Sequence, residues 1–222
     1  MKVNAVSRAA RVRTLVVGLC FGLFSLSIQA QESLGTENAS DRVFMSLSEK
    51  QQATVAAYLG RLLEESIGRA EQKIREQGSF VPFAYVGDRK GEGRFFKLSD
   101  DEKISAEVAA HSIQRGIVQS ALKGDLVASV FYMTADGPEK LGKLRGDLEE
   151  GLEADQNLED LRFLMVELQH LAGLSLLHVV PYWRNDGEWV FGKPQQRKVD
   201  PRLHQLVRTT IREYQQQQGQ SQ

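Results

Sequence analysis

LRFLMVELQHLAGLSLLHVVPYW, residues 161–183, decides the fold. Two runs of apolar, strand-forming residues flank Ala172-Gly173, and Gly173 can take the positive φ that a tight turn needs. The stretch reads as a β-hairpin with a two-residue loop. With that loop, Leu171 faces Leu174, Leu168 faces Leu177 and Glu167 faces His178. Alternation along each strand then gives one core face of Val166, Leu168, Leu177 and Val179. The other face carries Glu167, Gln169, Leu176 and His178. His170 pairs with Ser175 near the tip, on the side away from His178, so the two histidines do not converge on a metal.

Downstream, Asn185-Asp186-Gly187 is a turn signal leading to a short strand around Trp189 and Phe191. Asp200-Pro201 opens a terminal helix through Leu203, Val207, Ile211 and Tyr214, with proline at the first helical position where its missing donor does no harm. Residues 215–222 read as a polar, disordered tail rich in glutamine.

Upstream, DLVASVFYMTADGP (125–138) is a strand ending at a turn, and residues 138–160 form an acidic insertion. Its first third is basic, and from Asp147 to Asp160 the acids Asp147, Glu149, Glu150, Glu153, Asp155, Glu159 and Asp160 follow with no base between them. They lack the alternating acids, central glycine and closing glutamate of a calcium loop, so the insertion reads as solvated chain available to a partner.

The first half of the chain follows the same logic. Ser46 with Glu49, and Ser48 with Gln51, have capping-box spacing ahead of the series Val55, Leu59, Leu62, Leu63, Ile67, Ala70, Ile74. That series is a long amphipathic helix ending near Gly78. SFVPFAYVGDRKGEGRFFKL (79–98) is a second hairpin. Its glycine-rich turn lacks the GxxxxGK[ST] pattern and no helix follows directly, so it is not a phosphate loop. Ser99 with Glu102 repeats the capping box before a helix through Ile104, Val108, Ile113, Ile117, Ala121 and Leu122, ending at Gly124, with His111 on or beside its apolar stripe.

The resulting order is α-ββ-α-β-(insertion)-ββ-β-α. It specifies an α+β domain over residues 46–214 with an antiparallel sheet of five or six strands covered by helices. In element order this is similar to the roadblock or profilin-like architecture. Two local blocks, GSFVPFAYVGDRKGEG and VELQHLAGLSLLHVVPYWRNDGEWVFGKP, resemble the paired signatures of a family of small uncharacterised bacterial proteins. These carry a G-x-F-x-P-F-A/G block and a late hairpin ending in V-x-x-P-Y. The matching positions are Gly78, Phe80, Pro82, Phe83, Gly173, Pro181, Tyr182 and Gly192. The resemblance implies this fold and carries no known activity.

The chain opens with Lys2, Arg8, Arg11 and Arg13, an uncharged apolar run, and Ala30 before a polar stretch. That is the pattern of a secretory signal peptide over residues 1–30, cleaved after Ala30, with residues 31–45 a flexible lead. The destination is the periplasm or the exterior of a bacterium, and a membrane is involved only if the signal is retained. Cleavage removes four of the 28 bases and none of the 29 acids, leaving five net negative charges, a poor balance for nucleic acid. It also removes Cys20, the single cysteine, so the mature domain has no thiol, disulfide or cysteine-metal chemistry.

Three kinds of site are legible. Glu167 and His178 could form a carboxylate-imidazole pair of a hydrolase, although GLSLL departs from the nucleophile elbow GxSxG. Phe80, Phe83, Tyr85, Tyr182 and Trp183 could line a small-ligand pocket. Asp147, Glu149, Glu150, Glu153 and Asp155 could meet a basic partner. No metal site and no cofactor motif is present in the pattern. The leading expectation is an exported, non-catalytic envelope protein, an adaptor, inhibitor or immunity-type protein, acting by contact with another envelope protein.

Overall fold

The computed structural model describes residues 46–98, 104–136 and 161–219. The expected signal segment and lead (1–45), the expected Ser99–Glu102 capping pair and the acidic stretch 138–160 lie outside the described residues.

Helix α1 (Glu49–Gln77) starts where Ser48 and Gln51 cap each other. The Gln51 N–H donates to Ser48 Oγ over 3.3 Å and the Ser48 N–H to Gln51 Oε1 over 2.9 Å. It buries Val55, Leu59, Leu62, Ser66, Ala70 and Ile74, one stripe at steps of three and four. Gly78 ends it in the left-handed conformation, φ +76°. Strands β1 (Phe83–Gly87) and β2 (Gly93–Phe96) form the first hairpin. Its turn is tied down from within, since Asp88 Oδ1 accepts from the N–H groups of Lys90 and Glu92. Those donors are thus committed to the protein's own carboxylate and are not offered to a phosphate.

Helix α2 (Ala106–Leu122) is capped by Ser105, and its buried face is Ala109, Ile113, Ile117 and Ala121. The expected stripe is therefore rotated: Val108 and Leu122 are exposed, and so is His111. Strands β3 (Ala128–Asp136), β4 (Arg162–His170), β5 (Ser175–Asn185), β6 (Glu188–Phe191) and β7 (Gln195–Lys198) follow, then helix α3 (Arg202–Gly219). The polar tail expected from residue 215 is helical as far as Gly219. Pro201 precedes the first helical residue and its carbonyl accepts from the Gln205 N–H.

The class is α+β, with every strand pair antiparallel and the sheet order β2-β1-β3-β4-β5-β6. β7 makes a seventh strand, which the sequence does not signal, beside β6 on the outer edge of β5. One face packs under α1 through Val130, Tyr132, Leu164, Val166, Leu168, Val180 and Tyr182. The other carries α2 and the start of α3 on Ala84, Val86 and Phe131.

The β4–β5 hairpin departs from the expected register by one residue. His170 and Leu174 close a loop of Leu171, Ala172 and Gly173, with the His170 N–H donating to Leu174 O over 2.9 Å and Gly173 at φ +93°. Two contacts hold Leu171 out of the pairing with Leu174. Its N–H donates to Val127 O over 2.9 Å, and the Ala172 N–H donates to His170 Nδ1 over 3.0 Å. Glu167 therefore faces Leu177, Val166 faces His178, and Gln169 faces Ser175. A one-residue slip moves each side chain to the opposite face.

Candidate functional site

The register separates the catalytic pair read from the sequence. Glu167 points to the α2 and α3 face, and His178, beside Val166 and Gln196, to the α1 face. The sheet itself lies between them, so no carboxylate orients this imidazole from Glu167. His178 and His170 are both held below the ordinary imidazole range by burial, His170 to about 4. His170 lies at the hairpin loop, edge-on to Tyr58 with ring centroids 6.0 Å apart.

Glu167 instead belongs to a polar patch that sequence reading divided. Ser129, Gln169 and Ser175 form a row across β3, β4 and β5, with Glu167 two residues along β4 on the same face. Gln169 Oε1 accepts from the Leu203 N–H over 2.6 Å, which pins the first turn of α3 to the sheet. Glu167 is 8% exposed. Burial pushes its carboxyl above the usual range, against the opposing pull of the Arg202 guanidinium and a hydrogen bond with Gln169. The cleft over Ser129, Glu167 and Gln169, lined also by Ile117, Phe131 and Leu206, has about 60 Å³ of space, enough for a few water molecules. Ser175 Oγ is buried with no partner among the described residues. The patch holds a carboxylate and hydroxyls, but among the described residues no imidazole faces it from β4 or β5.

The aromatic residues form no common wall. Phe83 stacks on Tyr132 with centroids 4.8 Å apart and meets Phe80 at 5.2 Å, all inside the core under α1. Tyr182 is also in that core, its hydroxyl donating to Gly78 O over 3.0 Å. Tyr85 stands beside Phe95 near the rim, bonded to Glu65. Trp183 faces the other side, packed with Leu161, Phe163 and Val179. Two of the glycines are fixed by close packing. Gly78 leaves no room for a Cβ, which would stand 2.7 Å from Trp189, and at Gly192 one would stand 2.8 Å from Trp183.

The feature that sequence reading passed over is on α3. Leu203 is buried and Val207 half-buried against the α2 side of the core. The same stripe then continues into Ile211, 45% exposed, and Tyr214, 63% exposed, with Leu206, 52% exposed, on a neighbouring flank. His204 Nδ1 donates to Leu171 O, tying the helix to the hairpin loop. Its Nε2 has no partner among the described residues. An open groove of about 370 Å³ lies between that loop and the helix, lined by Leu171, His204, Val207, Arg208, Ile211 and Arg212. The periodicity of α3 is legible in the sequence, but that none of the described strands covers Ile211 and Tyr214 is a tertiary fact. The five acids proposed for partner binding, Asp147 to Asp155, lie outside the described residues.

Among the described residues no group of three or more histidine, cysteine or acidic side chains could hold a metal ion, and no helix is long and apolar enough to cross a membrane. Compared with known proteins, the chain matches no family model, no curated sequence and no solved structure.

Proposed function

We propose that this is an exported, non-catalytic interaction protein of the bacterial envelope that works by protein–protein contact, with helix α3 as its contact element. The observation that carries the reading is the uncovered apolar continuation of the α3 stripe at Ile211 and Tyr214. Apolar side chains grouped on one projecting helix have a cost in water that a partner would remove. The separation of Glu167 from His178 and the close packing of the aromatic set weigh in the same direction. Export rests on the basic and apolar opening of the sequence.

The test is a quantitative pull-down from envelope extract of the source organism with the mature chain, residues 31–222. It is run beside an Ile211→Asp/Tyr214→Asp variant and a chain lacking residues 138–160. One stoichiometric partner captured by the parent chain and lost with the α3 variant supports the reading. Loss only on removal of the acidic insertion would move the contact there, and no partner in any arm would overturn the proposal. Both substituted side chains are exposed, so the variant is expected to keep the parent's circular dichroism and melting temperature.

A further inference from the structure

The groove beside α3 combines two kinds of surface. Its floor is apolar, made by Leu171 from the hairpin loop and by Val207 and Ile211 from the helix. Its rim is cationic. Arg208 and Arg212 each follow one of those apolar positions, so each stands about 100° further round the helix and both fall on one flank. Among the described residues that line it there is no carboxylate. The mature chain carries five more acids than bases, so a cationic rim is a local departure from the overall charge.

We infer that the groove receives an acidic amphipathic segment of the partner, its apolar side chains against Val207 and Ile211 and its carboxylates on Arg208 and Arg212. The inference rests on the contact reading of α3 and adds the chemistry of what is contacted. An apolar floor alone would accept any hydrophobic segment. Two guanidinium groups beside it favour carboxylates, which they can meet with paired N–H donors, and repel basic helices. Solvent-exposed ion pairs contribute little energy each, so the floor supplies most of the affinity and the rim supplies selectivity and speed of encounter. The chain's acidic balance opposes a phosphate surface of nucleic acid or lipid, which would meet the same rim with the rest of the molecule repelled.

The probe is a designed helical peptide with leucines at heptad spacing and glutamates between them, labelled for fluorescence anisotropy. A twin has every glutamate replaced by glutamine, and vesicles of phosphatidylglycerol form a third arm. The mature chain is expected to bind the acidic peptide at least about tenfold more tightly than its twin, a gap that narrows between about 50 mM and about 300 mM salt. Arg208→Glu/Arg212→Glu is expected to remove that preference, and the exposed Arg212→Gln alone to reduce it with an unchanged melting temperature.

Equal binding of both peptides, binding of neither, an unaffected arginine variant, or binding to vesicles in place of peptide would overturn the inference. The envelope pull-down separates this from failure of the function itself. A partner lost with Ile211→Asp/Tyr214→Asp but kept by the arginine variant leaves the contact reading standing and removes the acidic one.

Discussion

Ser66 Oγ lies 2.6 Å from the hydroxyl of Tyr132, a fully buried contact between the middle of α1 and the central strand β3. Ser66 also donates to Leu62 O, so the hydroxyl of Tyr132 is the donor to Ser66. The two ends of this bond are unequal. Ser66→Ala leaves a buried phenol with no acceptor and is expected to cost about 1–3 kcal/mol. Tyr132→Phe removes the stranded group along with its partner's need, and is expected to cost less than about 1.5 kcal/mol. Urea denaturation of both variants checks the asymmetry, and equal losses would contradict it.

Two half-buried histidines, His170 and His178, work against stability in acid. His170 accepts the Ala172 N–H on Nδ1 and burial lowers its pKa from 6.5 to about 4. Protonation would place a proton on that acceptor, so the stability it contributes is present above 6.5 and is lost as the pH falls through about 4. His178 is shifted in the same direction by the same cause and adds to the loss. The melting temperature is expected to fall over that window, with the His170 share on the order of 3 kcal/mol at most. His170→Asn is expected to flatten the profile, and an unchanged slope would count against the assignment.

Glu167 acts with the opposite sign. Its carboxyl is raised by burial, so the folded state favours the protonated form, and that contribution fades as the pH rises from 4.5 through the folded value. The neighbouring Arg202 only partly offsets the cost that burial puts on the ionised form. Glu167→Gln is expected to raise the melting temperature at pH 7 by a few degrees, with the gain vanishing below 4.5. A variant less stable than the parent at neutral pH would show that the ionised carboxylate is wanted there.

Gly78 carries both a left-handed φ of +76° and the closest approach to Trp189. Its carbonyl accepts from Arg162 Nη1 over 3.1 Å as well as from Tyr182. Gly78→Ala must therefore strain the backbone and move the indole together. The expected loss exceeds about 2 kcal/mol, whereas Gly124→Ala, where no atom crowds the added Cβ, is expected to show only the backbone share. Similar losses at the two positions would mean that Trp189 yields.

The legible parts of this fold were those fixed locally. Ser48 and Gln51 cap α1 through their own side chains, and Asp186-Gly187, both at positive φ, make the turn that the sequence announces. The register of the β4–β5 hairpin was not local. Leucines at 168, 171, 174, 176 and 177 place apolar groups on both faces under either loop length, and both faces are covered, so no pattern rule chose between them. What goes with the observed register is a hydrogen bond from the Leu171 N–H to the carbonyl of Val127, in the segment just ahead of β3. That one residue also decided the candidate site, because it carried Glu167 away from His178. β7 was illegible for a different reason. Gln195, Gln196, Arg197 and Lys198 have no strand pattern of their own and pair because β5 extends beyond the reach of β6.

The divided outer edge of β5 bears on how the molecule behaves when crowded. β6 covers Tyr182 to Asn185 and β7 covers Leu176 to Val179, and Gly192 bridges to Pro181 between them. The sheet thus presents two four-residue stubs on this side, one of them carrying Arg197 and Lys198, in place of a long continuous ribbon. Short, charged, interrupted edges are poor templates for a further strand. On this side of the sheet, a second chain approaching backbone first would find no long run of free strand to extend.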